Sequence, residues 1–74
     1  MPIKRLRRIA CPELQTPQGA ILTQYVVEIV NGKVKQYYPL ERELPFTEWT
    51  TNCLNLRKNE QGELMLYDAD KPIL

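Results

Sequence analysis

The stretch YVVEIVNGKVKQYY, residues 25–38, decides the fold because it predicts two β-strands around a two-residue turn. Asn31 and Gly32 both take positive φ at low cost, as a type I′ turn requires, and strand-forming residues flank them. This turn pairs Val30 with Lys33 and so fixes the register of the whole hairpin.

That register divides the hairpin into two faces. The face opposite the core sets Glu28 across from Lys35 and Val26 across from Tyr37, which combines an ion pair with apolar groups. Ile29 pairs with Val34 on the other face. The residues predicted to share this core face are Ile21, Tyr25, Val27, Ile29, Val34, Gln36, Tyr38 and Leu40.

A second hairpin is predicted over residues 52–67, NCLNLRKNEQGELMLY. A four-residue loop would set Leu56 opposite Met65, whereas a three-residue loop ending at a left-handed Gly62 sets Leu56 opposite Leu66. The second register is favoured because it gives the amphipathic pattern that a small sheet needs. It gathers four leucines on one face: Leu54, Leu56, Leu64 and Leu66.

The segment LERELPFTEWTT, residues 40–51, is predicted to connect the two hairpins. Pro45 removes a backbone donor, and the mixed charges interrupt any strand periodicity. Phe46 and Trp49 are three residues apart, so one short helical turn near residues 46–50 would direct both rings to the same side.

The N-terminal segment KRLRR, residues 4–8, holds four of the ten basic residues of the chain, against nine acidic residues elsewhere. We favour a charged edge strand over residues 3–10, since positive charge on an exposed edge discourages aggregation. A helix and an arm that orders on binding remain open alternatives. Nucleic-acid binding is the alternative function, with basic groups on phosphates and a tyrosine stacked on a base. The residues that would carry it are Lys4, Arg5, Arg7, Arg8 and Tyr37.

The composition argues against catalysis and against a metal or cofactor. The chain has no histidine and two cysteines, which is too few ligands for a structural zinc site. The missing histidine also removes the usual base for a serine or cysteine nucleophile. We therefore expect no enzyme and interpret the candidate acids as solvated charges. These are Glu41, Glu43, Glu48, Asp68 and Asp70.

The N-terminus MPIKRLRRIA has no apolar run typical of a secretory signal, so we expect a cytoplasmic protein with reduced thiols. No stretch reaches the roughly 18 apolar residues of a membrane span. Cations precede Cys11 and would lower its thiol pKa, but ordinary burial is the favoured interpretation.

These patterns predict one domain, residues 1–74, of all-β class: a small antiparallel meander of two hairpins plus an N-terminal strand. So short a chain buries only about 60% of its unfolded surface, which makes a partner subunit valuable. The expected function is a non-catalytic protein-interaction module that self-associates or binds another protein. Phe46 and Trp49 are the candidate contact residues, since aromatic anchors are enriched in interfaces. We favour the interpretation that the same rings close the core, because the chain has only one phenylalanine and one tryptophan.

Overall fold

The computed structural model describes residues 6–74, which form one sheet of seven strands. The strands are β1 Leu6–Gln15, β2 Ile21–Val30, β3 Lys33–Pro39, β4 Thr47–Trp49, β5 Cys53–Lys58, β6 Leu64–Asp68 and β7 Lys71–Ile73. Within that range there is no helix, and hence none that could cross a membrane. The predicted all-β class is confirmed, and so is the N-terminal strand over its described part. The short helical turn predicted near residues 46–50 is replaced by β4.

The strand order is β3-β2-β1-β5-β6-β7, with β4 also paired to β1. Neighbours in the hairpins are antiparallel, whereas β1 pairs in parallel with β4 and β5. The prediction of an edge strand at the N-terminus is therefore wrong, because β1 lies inside the sheet. Its consecutive buried residues Ile9, Ala10 and Cys11 explain this position, since a strand covered on both faces reads as a continuous apolar run.

The first hairpin has the predicted turn and an unpredicted bulge. Asn31 has φ 53° and Gly32 has φ 78°, and Val30 pairs with Lys33. A register shift between Glu28 and Ile29 leaves Lys35 as the extra residue. Beyond this bulge the predicted pairings are wrong by one residue. The observed pairs are Glu28 with Gln36, Val27 with Tyr37, Val26 with Tyr38 and Tyr25 with Pro39.

Strands β1 and β2 exchange their faces near Pro12 and Gln24. In β1 the core residues Cys11 and Leu14 lie three positions apart, which the simple alternation of a strand does not allow. Gln24 in β2 has φ 53°, a left-handed conformation that re-aims the residues before it. Leu22 consequently packs against the core. The prediction that Ile21 does so is wrong, and Ile21 is 60% exposed.

The second hairpin has the favoured register. Leu56 pairs with Leu66, and Gly62 has φ 80° in a loop closed by hydrogen bonds between Asn59 and Glu63 and between Gly62 and Asn59. The four leucines face the core as predicted, three of them buried and Leu64 half-buried.

The sheet curls so that its ends approach one another and enclose the core. Lys33 at the start of β3 forms an ion pair with Glu63 in the loop between β5 and β6. Leu74, after β7, lies beside Gly32, where an added Cβ would be 3.3 Å from Leu74 Cδ2. A single sheet obtains a buried interior by closing on itself in this way. The buried cluster inside comprises Ile9, Cys11, Leu14, Val27, Ile29, Leu54, Leu56 and Leu66.

Candidate functional site

The sheet face opposite the core, which we call the outer face, has a buried patch of its own. Ala10, Val26 and Glu28 lie on this face with 1%, 0% and 5% of their surfaces exposed. The connection between β3 and β4, residues 40–46, is anchored to this face. Its anchor is a hydrogen bond of 2.7 Å from Arg8 Nη1 to the carbonyl oxygen of Pro45.

Glu28 is the buried charge of the outer face, and its carboxylate accepts three side-chain hydrogen bonds. Gln36 Nε2 and the Tyr38 hydroxyl each donate at 2.6 Å, and Arg8 Nε donates at 3.0 Å. The bulge in β3 makes this arrangement possible, because it brings Gln36 and Tyr38 onto the face that Glu28 occupies. The sequence signal that could have found it is a lone carboxylate inside the apolar run VVEIV.

The electrostatics of this cluster indicate a structural role. Burial alone raises the pKa of the Glu28 carboxyl, but hydrogen bonds from Tyr38, Gln36 and Arg8 outweigh burial and hold that pKa below its ordinary value. Burial and the bond to Glu28 raise the pKa of the Tyr38 phenol. Glu28 is thus an ionised acceptor that fixes the surrounding strands and, through Arg8, the connection.

Beside this cluster the outer face opens into an apolar cavity of about 400 Å³. Trp49 is one of the residues that line this cavity, and 59% of its surface is exposed. A backbone hydrogen bond of 2.8 Å from Leu40 N–H to the Gln24 carbonyl joins two of the walls. The lining is uncharged and includes Ala10, Pro12, Gln24, Leu40, Trp49 and Thr50.

Phe46 immediately precedes the strand that carries Trp49, and its ring lies in water. The residue is 96% exposed and has φ 55°, a left-handed conformation that bulky side chains rarely adopt. Such backbone strain concentrates at binding sites. Gln24, in the wall of the cavity, is also left-handed. The interpretation that Phe46 and Trp49 close the core is therefore wrong, and both rings are available to a partner.

The two described arginines of the basic segment are already paired with carboxylates. Arg7 donates two hydrogen bonds to Glu48, at 2.9 and 2.7 Å, and Arg8 is bound to Glu28. The bonds from Arg7 lower the pKa of the Glu48 carboxyl. Because Arg7 and Arg8 are adjacent in β1, their side chains leave opposite faces of the sheet. The structure does not bring them together as one phosphate-binding surface.

The remaining residues of the nucleic-acid hypothesis are placed as follows. Lys4 and Arg5 lie outside the described residues. Tyr37 is 38% exposed on β3, with its ring centroid 6.3 Å from that of Tyr25 at an interplanar angle of 46°. Nucleic-acid binding by this segment stays a prediction, without support from Arg7 or Arg8.

Both cysteines are free thiols. Burial, followed by the nearby Cys53, raises the pKa of the Cys11 thiol to about 11, so the preferred interpretation of Cys11 as a buried residue is confirmed. Cys53 is exposed and donates to Glu13 Oε1 at 2.8 Å, a bond that raises its own pKa. Both shifts lower the fraction of thiolate, the nucleophilic form, at neutral pH.

The candidate acids are spread over the surface. Glu48 binds Arg7, Asp68 accepts a bond of 3.1 Å from Asn52, and Asp70 lies 3.7 Å from Arg57. Glu41 and Glu43 are exposed in the connection. In the part of the chain that the structure describes, no three potential metal ligands come together.

Comparisons of the chain with protein-family models, with curated proteins and with solved structures gave no match. Function is therefore inferred from the side chains of the outer face.

Proposed function

We propose that this protein is a non-catalytic protein-interaction module whose partner docks on the outer face. The contact surface consists of Phe46, Trp49 and the cavity beside Trp49, and we call it the aromatic surface. The observation that carries the proposal is the ring of Phe46, held 96% exposed on a left-handed backbone.

Free energy favours covering this surface. Burying a side chain such as Phe46 contributes about 1.5–3 kcal/mol, and no group of the described chain supplies that burial. Tryptophan anchors beside water-excluding pockets are typical of interface hot spots. A neighbouring concave and uncharged cavity is the shape that an inserted apolar side chain requires.

Catalysis has less support from the same residues. The buried carboxylate of Glu28 already accepts hydrogen bonds from three donors, and burial raises the pKa of the Cys11 thiol. An exposed free thiol at Cys53 agrees with a reducing compartment, which supports the cytoplasmic location that we propose.

A photo-reactive phenylalanine analogue that replaces Phe46 tests the proposal inside cells. We expect covalent adducts with protein, and we expect them to weaken when Trp49→Ala is added. The same analogue in place of Ile21 is the matched control and should give few adducts. Ile21 is 60% exposed and pairs with Gln15 at the end of β1, whereas the residue after Phe46 pairs with Arg8 near its start. The proposal fails when position 46 yields no more protein adducts than position 21.

A further inference from the structure

The exposed ring of Phe46 and the cavity beside Trp49 lie at the two ends of one short segment, because Phe46 precedes β4 and Trp49 ends it. Phe46 is 96% exposed, so it does not fill the cavity beside Trp49 in its own chain. That cavity, about 400 Å³, is at the lower end of the range of roughly 300–1,000 Å³ that accepts small ligands. An aromatic side chain therefore fits it in size and polarity.

Two-fold dimers need a surface that complements itself, because the same patch occurs on both copies. A surface with one projecting side chain and one cavity meets that requirement. Phe46 of each copy can enter the cavity beside Trp49 of the other copy. Neither insertion buries a charge, because the residues lining the cavity are uncharged.

The charges of the connection are self-complementary as well. Glu41, Arg42 and Glu43 are all exposed, and none of them joins an ion pair in the described part of the chain. An inverted copy of this segment, offset by one residue, sets each Arg42 against a carboxylate of the partner copy, whereas direct register would set Arg42 against Arg42. Such rim charges set orientation and encounter rate.

The area that a dimer needs is available. A standard interface buries about 800 Å² on each partner. The described chain exposes 5,461 Å², so such an interface would occupy about a seventh of it. A domain with so thin a core gains stability from that additional burial.

We infer that the partner at the aromatic surface is a second copy of this chain, in a two-fold dimer in which each Phe46 enters the cavity beside the other copy's Trp49. This inference rests on the proposed function and names its partner. Arg42 of each copy faces one carboxylate of the other copy, Glu41 or Glu43.

Sedimentation velocity over a concentration series tests the dimer, with circular dichroism as the check that each variant is folded. We expect the unmodified chain to dimerise and Phe46→Ala to raise the dissociation constant at least tenfold. Ile21→Ala removes an exposed apolar side chain at the opposite end of β1 from Phe46, so it is the matched control and should leave the dissociation constant unchanged.

Charge inversion gives a test that only a homodimer passes. Arg42→Glu alone places like charges across the axis and should weaken dimerisation at least tenfold. The triple variant Glu41→Arg, Arg42→Glu and Glu43→Arg inverts every charge in both copies and should regain most of the lost affinity. A different partner protein would keep its own charges, so the triple variant would not regain binding to it.

Three outcomes overturn the inference: a monomer at every concentration, a dimer indifferent to Phe46→Ala, or a triple variant no better than Arg42→Glu. The mass of the adducts at position 46 separates this failure from failure of the proposed function. Adducts with other proteins alone would remove the dimer and keep the interaction module, whereas an absence of adducts would remove both.

Discussion

The hydroxyl of Tyr38 donates a hydrogen bond of 2.6 Å to the carboxylate of Glu28, from β3 to β2 on the outer face. This contact forms because the bulge at Lys35 exchanges the faces on which the side chains after Lys35 lie. Tyr38 is thereby on the outer face. It completes a set of three donors around a carboxylate that is 5% exposed.

Tyr38→Phe should lower the free energy of unfolding by about 1–2 kcal/mol, because the variant leaves a buried carboxylate one donor short. Urea denaturation measures the change. Tyr37→Phe is the matched control, since Tyr37 lies beyond reach of that cluster on the other face of β3, and it should change stability by under about 0.5 kcal/mol. If the two variants lost the same free energy of unfolding, the hydrogen bond from Tyr38 would make no contribution of its own to stability.

The pH dependence of stability should carry the signature of Glu28. Its pKa is lower in the folded chain than in the unfolded chain, where it is about 4.3. The stabilisation is therefore fully present above the unfolded value and disappears as the pH falls through the folded value. Glu28→Gln should be less stable at neutral pH and lose less on acidification, as measured by denaturation from pH 7 to pH 2. A variant whose acid profile parallels that of the unmodified chain would argue against this assignment.

The exchange of faces near Pro12 and Gln24 can be tested with two aliphatic residues. Leu14 is 0% exposed, so Leu14→Ala should cost about 2–5 kcal/mol. Ile21→Ala should cost under about 0.5 kcal/mol, since Ile21 is 60% exposed. Thermal denaturation of both variants gives the comparison. A large loss of stability in Ile21→Ala would contradict the exchange of faces and support the simple alternation that the sequence predicts.

Alkylation should distinguish the two thiols. With iodoacetamide at pH 8, we expect modification at Cys53, which is exposed, and resistance at Cys11, which is 4% exposed with a pKa of about 11. Peptide mass spectrometry measures each rate, and denaturant should make the rates similar. Faster labelling of Cys11 in the folded chain would contradict the burial described here.

Local signals predict both turns correctly, and they predict the register of the second hairpin. The Asn31-Gly32 pair sets one turn, and the leucine pattern selects the Gly62 loop over its competitor. The parallel pairs of β1 with β4 and β5 depend on partners about forty residues away, and no local pattern encodes them. The bulge at Lys35 brings Gln36 and Tyr38 to Glu28, and a period-two pattern does not predict such an extra residue.

The sequence suggests the candidate contact residues by type but not their geometry. Phe46 and Trp49 are candidates because they are large aromatic residues in a connection. The structure places them on a turn and a strand, both exposed, where a helical turn had been expected. The cavity beside Trp49 has walls from β1, β2 and the segments on either side of β4, so its existence depends on tertiary contacts that the sequence does not show.

The central claim, that the aromatic surface is covered in the associated protein, has a direct measurement because Trp49 is the only tryptophan. Acrylamide quenching of its fluorescence should be strong in dilute protein and weaken as concentration drives association. In Phe46→Ala it should stay strong throughout the same range. An unmodified chain that associates by sedimentation while Trp49 remains equally quenchable would contradict the claim.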